Sequence, residues 1–455
     1  MTKLLFLPIL FLINMNLLAQ HSDSDSMLQK IDGFLSSANA AGKFNGTAII
    51  AQKGKVLLNK GYGYKDVSFH SMNDSNSIYQ IGSITKSFTA VIVLKLVEQG
   101  KLGLQDKISK YIPDYPKGDK ISIQNLLNHT SGIYNYTNDI DDNDTAIVCY
   151  PISKKRVVEV FENKPLAFRP GKYFQYSNSG YFLLGMIIEN ITGMPYQSVV
   201  KQMIFSPLQM GHSGFDFKNL KSDNKTQGYA WINIDSSKAS YIIDSTVYFS
   251  AGSIYSTTRD MLQFAKAISS NNLLSNESWK KAFTPGKGGY GYGFWIANTM
   301  FGKRYITHSG GMLGYISDFA YFPDDDISII LLSNTGNYSS NLSSISLWLS
   351  AIVYHIPYYN WKASSENFTS DSEILHSYTG TYSHRGGKLV IVFQNGRLIS
   401  KNTQNPVPEK LTLLNETQLY FNDYNISADF IKDRNGKIEK LIIHQIGKDI
   451  ECRKE

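Results

Sequence analysis

The stretch from Ser83 to Glu98 reads as a helix whose middle, Ala90 to Leu94, is apolar on nearly every side. Such a helix does not lie on a surface; it belongs at the centre of a folded unit. Two strand-like runs precede it, Gly46 to Gln52 and Lys55 to Tyr62, with Lys53-Gly54 as their turn, and Gly100 is its stop. Before the hairpin, Met27, Leu28, Ile31, Phe34 and Leu35 recur at helical spacing, with a Ser or Asp cap near residue 24. From about residue 101 to 285, helical patterns alternate with polar loops, which predicts a largely helical lobe inserted into the chain. Strands return at Tyr290 to Ile296, Arg304 to Thr307, Ser317 to Tyr321 and Ile327 to Ser333, and a helix near Leu342 to Tyr354 closes the unit.

Beyond about residue 366 the pattern changes. Leu389 to Phe393 and Arg397 to Ser400 flank Gln394-Asn395-Gly396; Ser427 to Lys432 and Lys437 to His444 flank Arg434-Asn435-Gly436. Asn-Gly between alternating runs is the strongest short signal for a hairpin. The tail therefore reads as a separate all-β domain, a small barrel. At the other end, residues 1–19 have the form of a secretory signal: Lys3, the apolar run Leu4 to Leu18, and Ala19 before the cleavage point. The expected division is a signal over 1–19, a main domain over 20–365 and a β-domain over 366–455.

Bulk properties exclude several classes. At 455 residues, 42% hydrophobic and 18% charged, the chain is an ordinary globular protein with core enough for two or three domains. Its net charge of +7 is not concentrated: the longest basic run is Lys154-Lys155-Arg156, read as a solvated face, so no nucleic-acid partner is expected. No segment after the signal is long and apolar enough for an integral membrane span; Ile345 to Tyr354 is too short. The acidic run Asp139 to Asp144 lacks the glycine and closing glutamate of a calcium loop. Cys149 and Cys452 fall in different domains and read as two free or buried thiols, with no zinc spacing around either. No metal or organic cofactor is implied.

Three motifs carry chemistry. Ser83-Ile84-Thr85-Lys86 heads the buried helix, Tyr176-Ser177-Asn178 opens a second helix (Ser179 to Glu189) after the Pro170-Gly171 turn, and His308-Ser309-Gly310 ends a strand. A serine hydroxyl is a poor nucleophile until a neighbour takes its proton. Lys86, one helical turn on, shares its face. A free lysine keeps its proton to about pH 10.4, so action as a base near neutrality needs a shift of about 4 kcal/mol, which burial among Ile81, Ile84 and Phe88 can supply. Rival matches exist at Ser222–Lys225, Ser278–Lys281, Tyr136-Thr137-Asn138, Tyr358-Tyr359-Asn360 and His212-Ser213-Gly214. None has the same context of helix head, helix opening or strand end.

On these residues the chain resembles the serine β-lactamase and penicillin-binding superfamily, in the branch with class C β-lactamases, DD-carboxypeptidases and related esterases. Leu126-Leu127-Asn128-His129-Thr130-Ser131-Gly132, Ser206-Pro207-Leu208 and Ala251-Gly252-Ser253 add to the likeness over roughly residues 25 to 355. The resemblance implies an α/β (α+β) fold, an antiparallel sheet flanked by helices with a helical lobe, and a lipocalin-like tail. It implies Ser83 as acylated nucleophile, Lys86 as proton partner and Tyr176 as second acid/base. Which of Lys86 and Tyr176 takes the first proton stays open. Asn178, His308, Ser309, Gly310 and Gly311 would bind substrate, with the oxyanion hole formed by the N–H groups of Ser83 and Gly311. His129 would shape a loop beside the cleft.

The expected activity is that of an exported or periplasmic serine hydrolase, a D-amino-acid peptidase like the DD-carboxypeptidases or a β-lactamase-related hydrolase. Its partner would be a small-molecule or peptide substrate: a cell-wall peptide, a β-lactam or an ester. The alternatives are an esterase of the same branch and a penicillin-binding sensor that is acylated without turnover. Oligomeric state has no signature. His308 stands where many β-lactamases have lysine; from its reference pKa of about 6.5, affinity for carboxylate-bearing substrates is expected to fall between about pH 6 and 8.

Overall fold

Lys53 and Gly54 both take positive φ, 48° and 76°, and fold Gly46–Gln52 (β1) back on Lys55–Tyr62 (β2). The hairpin has the boundaries its residue pattern predicts. It forms part of the computed structural model of the chain, which describes residues 26–140, 144–232, 236–336, 342–362, 371–402 and 409–455. The signal over 1–19 and the helix cap near residue 24 lie outside the described residues. The chain divides into two compact units, one of residues 44–338 and one of residues up to 43 together with those from 339 onward.

In the first unit, β1 and β2 join Trp295–Asn298 (β3), Arg304–Met312 (β4), Tyr315–Phe322 (β5) and Ile327–Ser333 (β6) in one antiparallel sheet, ordered β2-β1-β6-β5-β4-β3. All seven residues of β6 are buried, in keeping with its apolar run Ile329 to Leu332. The helix over Thr85–Glu98 (α1) is buried at every residue from Thr85 to Leu94, and Gly100 ends it at φ 69°. Phe88 on this helix stacks on Phe264 at 4.1 Å and meets Phe205 edge-on at 5.9 Å. The second site helix, Asn178–Thr192 (α2), packs its Leu183, Leu184, Ile187 and Ile188 into the same core.

Two strand expectations need correcting. The run Tyr290 to Ile296 is not one strand: Gly293 turns to φ 79°, and its carbonyl accepts from Ser87 Oγ at 2.7 Å, so β3 starts only at Trp295. Conversely, the strand expected to end at His308 runs on through Ser309, Gly310 and Gly311 to Met312. Pairing with β5 over the whole length, from Ile306↔Tyr321 to Met312↔Tyr315, overrides the poor strand propensity of two glycines. β3 pairs with β4 only over Arg304 to Thr307, which leaves His308 to Met312 without a strand partner on that side among the described residues.

The second unit contains a helix over 26–40, another at Leu342–Val353 and a closed eight-stranded antiparallel barrel. Its strands are Gly380–His384 (β7), Gly387–Gln394 (β8), Arg397–Asn402 (β9), Glu409–Leu413 (β10), Gln418–Phe421 (β11), Ile426–Lys432 (β12), Ile438–Gln445 (β13) and Lys448–Lys454 (β14). Asn395 and Gly396 both have positive φ, 52° and 75°, the two-residue turn that Asn-Gly favours. At Arg434-Asn435-Gly436 only the glycine does, at 80°, and the loop instead closes between Asp433 and Lys437. Cys452 is buried in the barrel interior, and both it and Cys149 are free.

Candidate active site

Ser83 lies in a tight 3-10 turn, Gly82–Ile84, one residue ahead of α1. Gly82 has φ 50°, and a Cβ there would fall 2.8 Å from the backbone nitrogen of Gly311. Only glycine lets the turn and β4 approach so closely. Gly310 is required for the same packing: a Cβ on it would sit 2.0 Å from the Ile81 carbonyl oxygen. Gly311 is different, because no atom comes within 4 Å of where its Cβ would be. Thus Gly310 faces inward to hold the strand against the serine turn, while Gly311 and Ser309 are exposed.

Lys86 is fully buried, and its Nζ has three partners: the Asn178 side-chain oxygen at 2.7 Å, the Ala251 carbonyl at 2.7 Å and Ser83 Oγ at 2.9 Å. Burial drives its pKa well below the ordinary lysine value. A neutral amine has two N–H bonds and one lone pair. Asn178 Oδ1 and the Ala251 carbonyl only accept, so they take the two N–H bonds, and the lone pair is left for the Ser83 hydroxyl proton. Nζ also stands 4.9 Å from the Tyr176 ring centre. Burial raises the Tyr176 phenol, against the opposing pull of a hydrogen bond with the Ser83 side chain, so at neutral pH it keeps its proton.

His308 is 2% exposed. Its Nδ1 lies 2.7 Å from the Ser309 carbonyl and its Nε2 3.0 Å from the Tyr290 hydroxyl. Burial first, then the nearness of Lys86, push its pKa down to about 3. This overturns the expected fall in carboxylate affinity between pH 6 and 8: the ring is already neutral throughout that range.

The beta-lactamase family pattern matches residues 31–344 of this chain. This chain belongs to the beta-lactamase family. It is a family of serine hydrolases acting on small substrates. PbpX of Bacillus subtilis (strain 168), a penicillin-binding protein by name, is 33% identical over 312 residues, which are 68% of this chain and 74% of that protein. A D-stereospecific amidohydrolase from Streptomyces sp. superimposes with a TM-score of 0.58 at 25% identity, over 68% of this chain and 94% of its own. The octameric penicillin-binding protein homologue from Pyrococcus abyssi has the same fold, with a TM-score of 0.65 at 24% identity over 93% and 99% of the two chains.

In this beta-lactamase-family chain, Ser83, Lys86, Tyr176 and Asn178 are brought together, with His308 to Gly311 alongside. Sequence reasoning missed what orients Asn178. Its backbone N–H donates to Asn135 Oδ1 at 2.9 Å, and its amide nitrogen donates to Thr137 Oγ1 at 3.1 Å, which turns the amide oxygen toward Lys86. Thr137 belongs to Tyr136-Thr137-Asn138, a rival of Tyr176-Ser177-Asn178 in sequence but its neighbour in space. Two other rivals lie in structural roles: Lys281 pairs with Glu277 at 2.8 Å, and Ser213 donates to Asp260 at 2.8 Å. His129, at φ 56°, accepts from the Ser177 N–H at 3.2 Å and lies against the Tyr176 ring at 4.2 Å, so it shapes the loop that presents Tyr176. Among the described residues, no group of three or more His, Cys, Asp or Glu is placed to hold a metal ion.

Proposed function

We propose that this protein is an exported serine hydrolase that forms an acyl-enzyme on Ser83 and cleaves amide bonds of D-amino-acid peptides, in the manner of a DD-carboxypeptidase. The observation that carries the reading is the saturation of Lys86 by two carbonyl oxygens, which points its remaining valence at Ser83. Ser83 Oγ attacks the substrate carbonyl carbon as its proton passes to Lys86. The oxygen of the tetrahedral intermediate is met by the N–H groups of Ser83 and Gly311, each worth roughly 3–4 kcal/mol in the transition state. The C–N bond then breaks, Tyr176 protonates the departing amine, and the proton on Lys86 replaces the one Tyr176 gave. Water repeats the sequence in reverse to free Ser83. An extended substrate would pair with the open side of β4 from His308 to Met312.

The leader at 1–19 would direct export, with residues 20–365 as the hydrolase domain and 366–455 as an appended β-domain. Penicillin-binding and D-stereospecific relatives support the substrate class. A second reading, an esterase, is favoured by the neutral His308, which offers no fixed cation for a substrate carboxylate. Intact-mass labelling by a penicillin or fluorophosphonate tests the nucleophile: one adduct on the wild type and none on Ser83→Ala. A panel of D-amino-acid peptide, amide and ester then ranks the readings. A stable adduct with no turnover of any of them would instead indicate a sensor.

A further inference from the structure

Among the described residues, a short helix closes one end of the barrel and a cavity lies at the other. Alternate residues of each strand face its interior. The short helix Ser372–Ser377 closes the end near the β8–β9 and β10–β11 turns: Leu375 and Tyr378 join the interior cluster, and the Tyr378 hydroxyl donates to the Glu416 carbonyl at 2.7 Å. At the opposite end the described residues do not fill the interior. A cavity of about 360 Å³ remains there, within the ~300–1,000 Å³ typical of small-molecule sites. Phe421, Ile426 and Ile443 make its apolar wall, and Ser400, Glu409 and Gln445 are the polar groups used below.

Gln445 supplies an acceptor in want of a donor, whereas Glu409 already accepts the Asp423 N–H at 3.4 Å. Gln445 Oε1 is buried with no hydrogen-bond partner among the described residues. Glu409 lies on β10, separated from β13 by two strands. Burial first, then the nearby Asp423, raise its carboxyl to about 8, against the pull of the Asp423 N–H, Lys43 and Ser400. The cations nearby are engaged: Lys43 pairs with Asp423 at 2.8 Å and Lys388 with Glu455 at 2.6 Å. A primary amine can take the Glu409 proton and stay as an ammonium between that carboxylate and Gln445 Oε1, whereas a ligand carboxylate would face the Gln445 oxygen with no spare cation among the described residues.

We propose that this end of the barrel binds a small amphiphile bearing a primary amine, its apolar body against Phe421, Ile426 and Ile443 and its N–H donors met by Glu409 and Gln445. The test is isothermal titration of the full chain with n-octylamine and, separately, sodium octanoate. Octylamine binds one per chain, and octanoate at least about tenfold more weakly. Glu409→Gln and Gln445→Leu each weaken octylamine by about tenfold, the scale of one charged hydrogen bond, and Ile443→Trp, which fills the cavity, abolishes binding. Thermal melting and adduct formation at Ser83 verify that each variant is folded, and the two polar variants carry the test where Ile443→Trp does not fold. Equal binding of octanoate, no octylamine binding up to about 1 mM, or binding that survives both polar substitutions would overturn the proposal.

Discussion

The Tyr290 hydroxyl stands 3.0 Å from His308 Nε2, while the Ser309 carbonyl stands 2.7 Å from Nδ1 of the same ring. A carbonyl can only accept, so Nδ1 carries the proton and Nε2 receives the phenol's hydrogen. Both ring nitrogens are thus satisfied in the neutral form, and a second proton would reverse the bond to Tyr290, turn the phenol hydrogen away from the ring and place a charge in a buried pocket.

That neutrality links stability to acid. The unfolded histidine has a pKa of about 6.5 and the folded one about 3, so below pH 6.5 the unfolded chain binds the extra proton. Stability is fully present above pH 6.5 and is lost as pH falls toward 3, by about 1.4 kcal/mol per unit. Urea midpoints for wild type and His308→Gln at pH 7.5 and 4.5 measure this: the variant's acid loss should be smaller by about 2–3 kcal/mol. Parallel losses in the two proteins would contradict the buried neutral ring.

The lowered Lys86 pKa sets the acid limb of the rate profile. Because the proposed mechanism needs the amine unprotonated, kcat/KM should rise with pH and level off well below the ordinary lysine value. Lys86→Ala should lower kcat by about 10²–10⁴-fold while leaving the fold intact. A limb near the free-lysine value would assign the base elsewhere.

Gly310 and Gly311 are adjacent but unequal. Alanine at Gly310 would push its Cβ to 2.0 Å from the Ile81 carbonyl, whereas at Gly311 it would enter open space. Thermal melts should show Gly310→Ala destabilised by about 3 kcal/mol and Gly311→Ala little changed. Equal stability of the two would mean that β4 can shift away from the serine turn.

Thr137 acts through Asn178. Thr137→Val removes the acceptor for the Asn178 amide nitrogen and frees the amide to rotate away from Lys86. The expected result is a kcat lower by about fivefold with KM nearly constant, restored by Thr137→Ser. A loss in melting temperature without a change in kcat would make its role structural only.

Much of this was legible in the residues. The two strand-like runs about Lys53-Gly54, the all-round apolar α1 and the Asn395-Gly396 turn are local signals, and the chain obeys them at the expected positions. Ser83, Lys86 and Tyr176, which the structure gathers, could be picked out because each stands at or near the head of an element. The extension of β4 through two glycines was not legible, since its support comes from β5. Nor was Thr137 as a partner of Asn178, because nothing in the spacing of residues 135 to 178 says that the two loops meet.

By itself, then, the sequence determined the elements and the chemical inventory, because propensity, periodicity and turn preference act over a few neighbouring residues. Tertiary structure decided protonation and geometry. Lys86 loses its ordinary hold on a proton and His308 becomes a neutral ring only when packing strips water from both and places fixed oxygens around them. Desolvation depends on the whole surrounding fold, and no short stretch of sequence encodes it.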